Sequence, residues 1–179
     1  MKSTVIHQVV LGIDPGLQHT GWAIVRKSGG MQPVQTIQTK QSIQALAYGV
    51  ISTKPKDAIN VRLGSIYDDL SQVIETYQPC SAAIEGVFFG LNAKTAISLG
   101  QARGAALLAT SKRQLSLGEY QPATIKKCIV GSGQAEKDQV TYMVRQLLNL
   151  DHDPKPDHCA DALAVALTHI AHSHPLMSA

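Results

Sequence analysis

The sequence contains no apolar run near the roughly 20 residues that a membrane-spanning helix needs. Lys2 opens the chain, but His7 and Asp14 interrupt the apolar stretch behind it, so no secretory leader is read there. Cysteine is sparse. Cys80, Cys128 and Cys159 are odd in number, scattered and without a C-x-x-C pair, which excludes a disulfide framework or a zinc cage. They are expected to be buried thiols of a cytoplasmic protein. Histidines gather near the carboxyl end (His152, His158, His169, His172, His174), yet no pair has the spacing of a zinc motif. Gly131-Ser132-Gly133 is not followed by Gly-Lys-Ser/Thr, so there is no phosphate loop of the nucleotide-binding kind. Phenylalanine occurs only as the adjacent pair Phe88 and Phe89.

What is present is a chain of 179 residues, 44% apolar and 16% charged, enough for one globular domain with a sizeable core. We place that domain at residues 1–172 and expect a short disordered tail over 173–179. The net charge of +3 is mild, but its distribution is uneven. Eight bases (Lys94, Arg103, Lys112, Arg113, Lys126, Lys127, Lys137, Arg145) face three acids (Glu119, Glu136, Asp138) between 94 and 145. From Gln146 onward four aspartates face Lys155 alone. A basic middle suits a polyanion, though a solvated helix face explains it equally. An acidic end beside it is the pattern of a metal site next to a phosphate-binding surface.

Periodicity predicts the elements. Val9 to Asp14 and Thr20 to Val25 read as strands around an Asp-Pro-Gly turn, and Pro33 to Ile43 as a third. Ser42 to Lys56 reads as a loop with some helical turn. Asp57 is the expected N-cap of a helix carrying Val61, Leu63, Ile66, Leu70, Val73, Ile74 and Tyr77 on its apolar positions, closed by Pro79. Ser81 to Glu85 is a short buried strand. Asn92 starts a long helix to about Gln114, whose Ala96, Gly100 and Gly104 permit close approach of the sheet or of a second helix. Leu115 to Tyr120 is a fifth strand, and helices follow over Ala123–Ile129, Ala135–Leu148 and Asp157–His172. One mixed sheet with helices on its faces is the expected α/β architecture.

Three acids recur at comparable places: Asp14 and Glu85 end strands, and Asp161 lies in the first turn of the last helix. Alone, Asp14 is equally a turn aspartate bonding its own backbone. Together with Glu85 and Asp161 it forms a set of hard oxygen donors suited to Mg²⁺. His158, three residues before Asp161 and on its face of the helix, would suit Mn²⁺ as well. Asp157, four residues before Asp161, could share that face too, but is expected to cap the helix. One of Phe88 and Phe89 is a candidate to stack on an unpaired base.

Five blocks stand in order along the chain. They are Gly12-Ile13-Asp14-Pro15-Gly16, Ala83-Ile84-Glu85-Gly86-Val87-Phe88, Leu99-Gly100-Gln101-Ala102-Arg103-Gly104, Gly131-x-Gly-x-Ala135-x-Lys137-x-Gln139-Val140, and Ala160-Asp161-Ala162-Leu163-Ala164. This order resembles the RuvC family of bacterial Holliday-junction resolvases from about residue 8 to residue 170. The resemblance implies an RNase H-like fold, a two-fold homodimer, and metal-dependent paired nicking of four-way DNA junctions. It implies catalytic roles for Asp14, Glu85, His158, Asp161, Lys126 and Lys137. Two Mg²⁺ or Mn²⁺ ions would be held by Asp14, Glu85, His158 and Asp161, with His158 standing where many relatives have a carboxylate. It implies DNA contacts from Phe88, Phe89, Arg103, Lys126, Lys127 and Lys137, and work alongside the RuvA–RuvB branch-migration complex. No membrane and no nucleotide cofactor are expected. The segment 33–56 matches the family poorly and receives no role.

Rival readings remain on the residues alone. A sugar-kinase or actin-like ATPase also opens on a strand ending in Asp-x-Gly but needs two such domains, more than 179 residues supply. An RNase H-like nuclease for another branched DNA or RNA, or a non-catalytic junction-binding module, would keep much of the same pattern.

Overall fold

Asp14 is the last residue of β1 (Val5–Asp14), the middle strand of a five-stranded mixed sheet. In this computed structural model, residues 5–30, 42–86 and 92–173 are described. β2 (His19–Gly30) runs antiparallel to β1, and β3 (Ser42–Ser52) runs antiparallel to β2 at one edge. On the other side of β1, β4 (Ser81–Glu85) and then β5 (Ser116–Tyr120) are parallel to it, giving the order β3-β2-β1-β4-β5. The helices are α1 (Ile59–Tyr77), α2 (Ala93–Lys112), α3 (Pro122–Val130), α4 (Lys137–Leu148) and α5 (Asp157–His172).

Strand alternation divides the core in two. Leu11, Ile13, Ile24, Ala82 and Ile84 point to one face and pack with Ile66, Leu70 and Ile74 of α1 and Ala102, Ala106 and Ala109 of α2. Val10, Ala23, Val25 and Ala83 point to the other and pack with α3, α4 and α5. Helices therefore cover both faces, as expected. α5 is apolar nearly all round, with Cys159, Ala160 and every residue from Ala162 to Thr168 buried, as suits a helix enclosed by a sheet and two other helices. Gly12 makes the close packing possible. A Cβ there would stand 2.2 Å from the Ala162 carbonyl oxygen and 2.8 Å from the Ala166 Cβ. Gly21, the cross-strand partner of Asp14, likewise leaves room for the His158 carbonyl, 2.1 Å from where its Cβ would be.

Several expectations need correction. Ser42–Ser52 is a strand, not a loop. Its half-buried positions include Ala45, Ala47 and Gly49, whereas Leu46 and Tyr48 point to solvent, so the apolar pattern is inverted relative to burial. A bulge between Ile24 and Val25 also shifts its register, sending Ile43 and Ala45 to the α5 face and Ile51 to the α1–α2 face. Of the strand read over 33–43, only Ser42 and Ile43 lie within the described residues. The cap of α1 is Ala58, because the Asp57 N–H closes a turn on the Lys54 carbonyl and the first helical bond runs from Arg62 to Ala58. Gly100 and Gly104 do not meet the sheet; a Cβ at either would touch nothing within 4 Å. Alanines, not glycines, set that packing. Cys80 is exposed, with Cys128 half-buried and Cys159 buried. The residues 174–179 of the expected tail lie outside the described residues. Among the described residues no helix is long and apolar enough to cross a membrane.

Candidate active site

The same alternation that divides the core also sorts the acids. Along β1, Val10, Gly12 and Asp14 share the α5 face; along β4, Ala83 and Glu85 share it too. Ile13 pairs with Ile84 in the parallel ladder, so the next residues, Asp14 and Glu85, emerge side by side. Because α5 lies directly over Gly12 and Gly21, its first turn brings His158 and Asp161 to the same place. The turn after Asp14 is closed from within, where the buried Thr20 hydroxyl donates to the Gly16 carbonyl at 2.7 Å.

His158 Nδ1 bonds Asp14 Oδ2 at 2.7 Å. Asp14, His158 and Asp161 each offer a ligand atom, all within 4.8 Å of one another. Their side chains are 13%, 38% and 29% exposed, sheltered but open to solvent on one side. Glu85 stands against Asp14 and bonds it when protonated. Lys137, the first residue of α4, reaches across to Asp161 at 3.0 Å and Asp157 at 3.6 Å. Its helix start is fixed by the Gln139 side chain accepting from the Glu136 N–H.

The electrostatics are those of crowded anions. Burial, then the charge of Asp14, a hydrogen bond with it, and the charge of Asp161 push the Glu85 carboxyl up to about 8, with Lys137 opposing. Burial and Asp14 also raise Asp161, against Lys137 and His158. The hydrogen bond to Asp14 raises His158, against burial. For Lys137, burial acts to lower the pKa, but the hydrogen bond and charge of Asp161, with Asp157 and Asp14, carry it upward. Like charges held this close are what a divalent cation relieves, so three carboxylates and an imidazole fit a hard metal ion.

Other expected residues fall elsewhere. Asp157 is the first residue of α5 rather than its cap, which is the extended Pro156; its carboxylate faces Lys137 instead. Lys126 and Lys127 lie on α3, half-buried and exposed respectively, with no ion pair among the described residues. Arg103 lies along the surface with its guanidinium bonded to the exposed Glu119 carboxylate and to the Glu85 carbonyl. Phe88 and Phe89 lie outside the described residues. Sequence reasoning missed His19, whose ring centroid lies 5.7 Å from that of His158 and whose Nδ1 bonds the Ser52 hydroxyl at 3.2 Å. Its only signal was its place five residues after Asp14 in the turn between strands.

Residues 10–169 match the family model described as crossover junction endodeoxyribonuclease RuvC. The chain belongs to the RuvC family. It is 45% identical over 168 residues to the crossover junction endodeoxyribonuclease RuvC of Treponema pallidum strain Nichols, covering 94% of this chain and 80% of that one. With the Heliobacterium modesticaldum RuvC it shares 44% over 165 residues, covering 92% and 94%. The Thermus thermophilus RuvC structure superposes with a TM-score of 0.78 at 34% identity, over 91% of this chain and 93% of that one. The same protein in complex with Holliday junction substrate gives 0.80 over the same shares. The yeast mitochondrial Holliday junction resolvase Ydc2, 14% identical with a TM-score of 0.60 over 90% and 78%, shares the fold. The sheet order and its helices are the RNase H-like fold of RuvC.

Proposed function

We propose that this protein is an endodeoxyribonuclease that resolves four-way DNA junctions by paired symmetric nicks, leaving 5′-phosphate and 3′-hydroxyl ends. The observation that carries the reading is the meeting of Asp14, His158 and Asp161 beneath one end of the sheet, with Glu85 beside Asp14, in a chain 45% identical to a RuvC enzyme. Those four residues would hold two Mg²⁺ or Mn²⁺ ions, which when bound supply an activated water and a stabilised leaving oxygen. The acids also shape where a phosphate can enter. Crowded carboxylates repel it from their own side, and Lys137 beside Asp161 offers the cationic approach. Lys137 and Lys126 meet the charge that develops on the phosphate. Lys127, with Phe88 and Phe89, supplies contacts to the junction arms and to bases opened at the crossover. Nicks in two strands need two active sites, and a C₂ homodimer matches the symmetry of the junction. The exposed Ile97 and Leu108 on α2 favour that pairing. In the cell this domain, residues 1–172, would act in the cytoplasm on junctions delivered by the RuvA–RuvB complex.

The test is cleavage of a synthetic four-way junction against linear duplex and single strand, with Mg²⁺, Mn²⁺ or EDTA. Paired nicks on the junction alone are expected, and Asp14→Asn should abolish them while junction binding stays nearly intact. Retained cleavage in that variant would remove Asp14 from the chemistry. Equal cutting of all three substrates would make the protein a general nuclease on the same fold. A clear advantage of Mn²⁺ over Mg²⁺ is the expected mark of an imidazole in the ligand set.

A further inference from the structure

Arg103 stands in the basic stretch that suggests a DNA contact, yet its side chain is only 13% exposed and its guanidinium is engaged internally. One amino group, Nη2, donates to Glu119 Oε2 at 2.5 Å, and the other, Nη1, donates to the Glu85 carbonyl at 3.1 Å. That carbonyl belongs to the Glu85–Gly86 peptide unit. The N–H of the same unit donates to the Tyr120 carbonyl of β5 at 2.8 Å. Both polar groups of the last peptide of β4 are therefore held, one by the sheet ladder and one by α2.

We infer that Arg103 is a positioning residue for the active site: by clamping the Glu85 carbonyl to Glu119 it fixes the direction from which the Glu85 carboxylate enters the metal site. The inference rests on reading Glu85 as a metal ligand. Its physical basis is that a ligand set works only when each donor is held to within a fraction of an ångström. Strand β4 has just five residues, and Glu85 is its last, where fraying would otherwise begin. The planar fork of arginine reaches two separate acceptors at once, which a lysine ammonium on a flexible stem does with far less geometric definition. Glu119, next to the Tyr120 that receives the ladder bond, anchors the far side of the fork on β5. Groups that hold a metal ligand in place, without touching the metal, typically change metal affinity by about 10–100-fold when removed.

The experiment is Mn²⁺ binding to the DNA-free protein by isothermal titration calorimetry, for wild type, Arg103→Lys, Arg103→Gln and Glu85→Gln. Thermal melting and junction binding in EDTA are measured beside it. Arg103→Lys is expected to keep a cooperative melt and wild-type junction binding but to bind Mn²⁺ about 10-fold more weakly. Arg103→Gln should weaken it further; if that variant does not fold, the lysine variant decides. Wild-type Mn²⁺ affinity in Arg103→Lys, together with weakened junction binding, would make Arg103 a DNA contact and overturn the inference. A lowered melting temperature with unchanged Mn²⁺ affinity would overturn it too, leaving a merely structural pair. Glu85→Gln separates the two layers: wild-type Mn²⁺ affinity in that variant sinks the reading of Glu85 as a ligand, whatever Arg103 does.

Discussion

The two faces of the sheet are built to opposite specifications. On one, α5 lies so close that Gly12 and Gly21 have its backbone where their side chains would be. On the other, α1 and α2 meet the strands through ordinary side-chain packing of Ile66, Leu70, Ala102 and Ala106. Their outer surfaces stay open, with a shallow apolar groove between Leu63, Tyr67, Gly104 and Leu108. The close face is where precision is needed, because Asp14 and Glu85 must meet His158 and Asp161 across the sheet–helix boundary. The open face has glycines that nothing in the described chain fills. Glycine thus serves contact with the chain's own backbone on one side and leaves a surface unfilled on the other.

The most severe way to break the close face is Gly12→Ala. Overpacking of this kind typically costs about 1–3 kcal/mol, and at this size each kcal/mol lowers Tm by about 2–4 °C. The added methyl meets backbone rather than a flexible side-chain end, so the upper part of that range is expected. Because α5 must move, metal affinity should fall together with stability. A variant with wild-type Tm and Mn²⁺ affinity would mean that α5 does not sit as close to β1 as described.

A gentler probe of the same face is pH. Glu85 in the folded protein is raised from 4.5 to about 8, so its neutral form is the one the metal-free fold favours. Stability from that group is present below about pH 4.5 and is lost as pH rises toward 8. His158 is also raised, by its bond to Asp14, so its contribution is present below its unfolded value of 6.5 and is lost as pH passes the folded value. Both signs agree. In EDTA the melting temperature should fall between about pH 4.5 and pH 8, added Mn²⁺ should recover it at the upper end, and Glu85→Gln should flatten the slope. A metal-free protein that grows more stable over that window would contradict the crowding of anions.

The close face was more legible in the sequence than the open one, for physical reasons. Asp14 and Glu85 each end an apolar run, and Asp161 interrupts the apolar surface of α5, so each stands out against its neighbours. Strand parity then decides which face they share. His19 was missed, and Asp157 was assigned to the helix cap, because their partners come from distant segments: Asp157 meets Lys137 twenty residues back, and His19 meets His158 across the fold. β3 was unreadable because the inward positions at its centre, Ala45, Ala47 and Gly49, are small while Leu46 and Tyr48 face out. The spacing of Ala96, Gly100 and Gly104 fixed a common helix face but not what that face meets. Arg103 illustrates the remaining limit: composition marks a positive charge, and only geometry places it on Glu85 and Glu119.

The open face therefore supplies the finest contrast, through Gly100→Ala and Gly104→Ala. Glycine inside a helix is less favourable than alanine by roughly 0.5–1 kcal/mol. No atom stands within 4 Å of either added methyl, so within one chain both substitutions should stabilise, opposite in sign to Gly12→Ala. Self-association reads the other half of the comparison. If a second copy packs α2 against this surface, each methyl intrudes on the approach, and sedimentation equilibrium should find weaker dimers from a protein whose monomer melts about 2 °C higher. Higher melting with unchanged dimerisation would place the partner's contact elsewhere on the molecule. Lower melting in dilute monomer would mean that this face is not open at all, and the contrast between the two faces would fail at its smallest measurable difference.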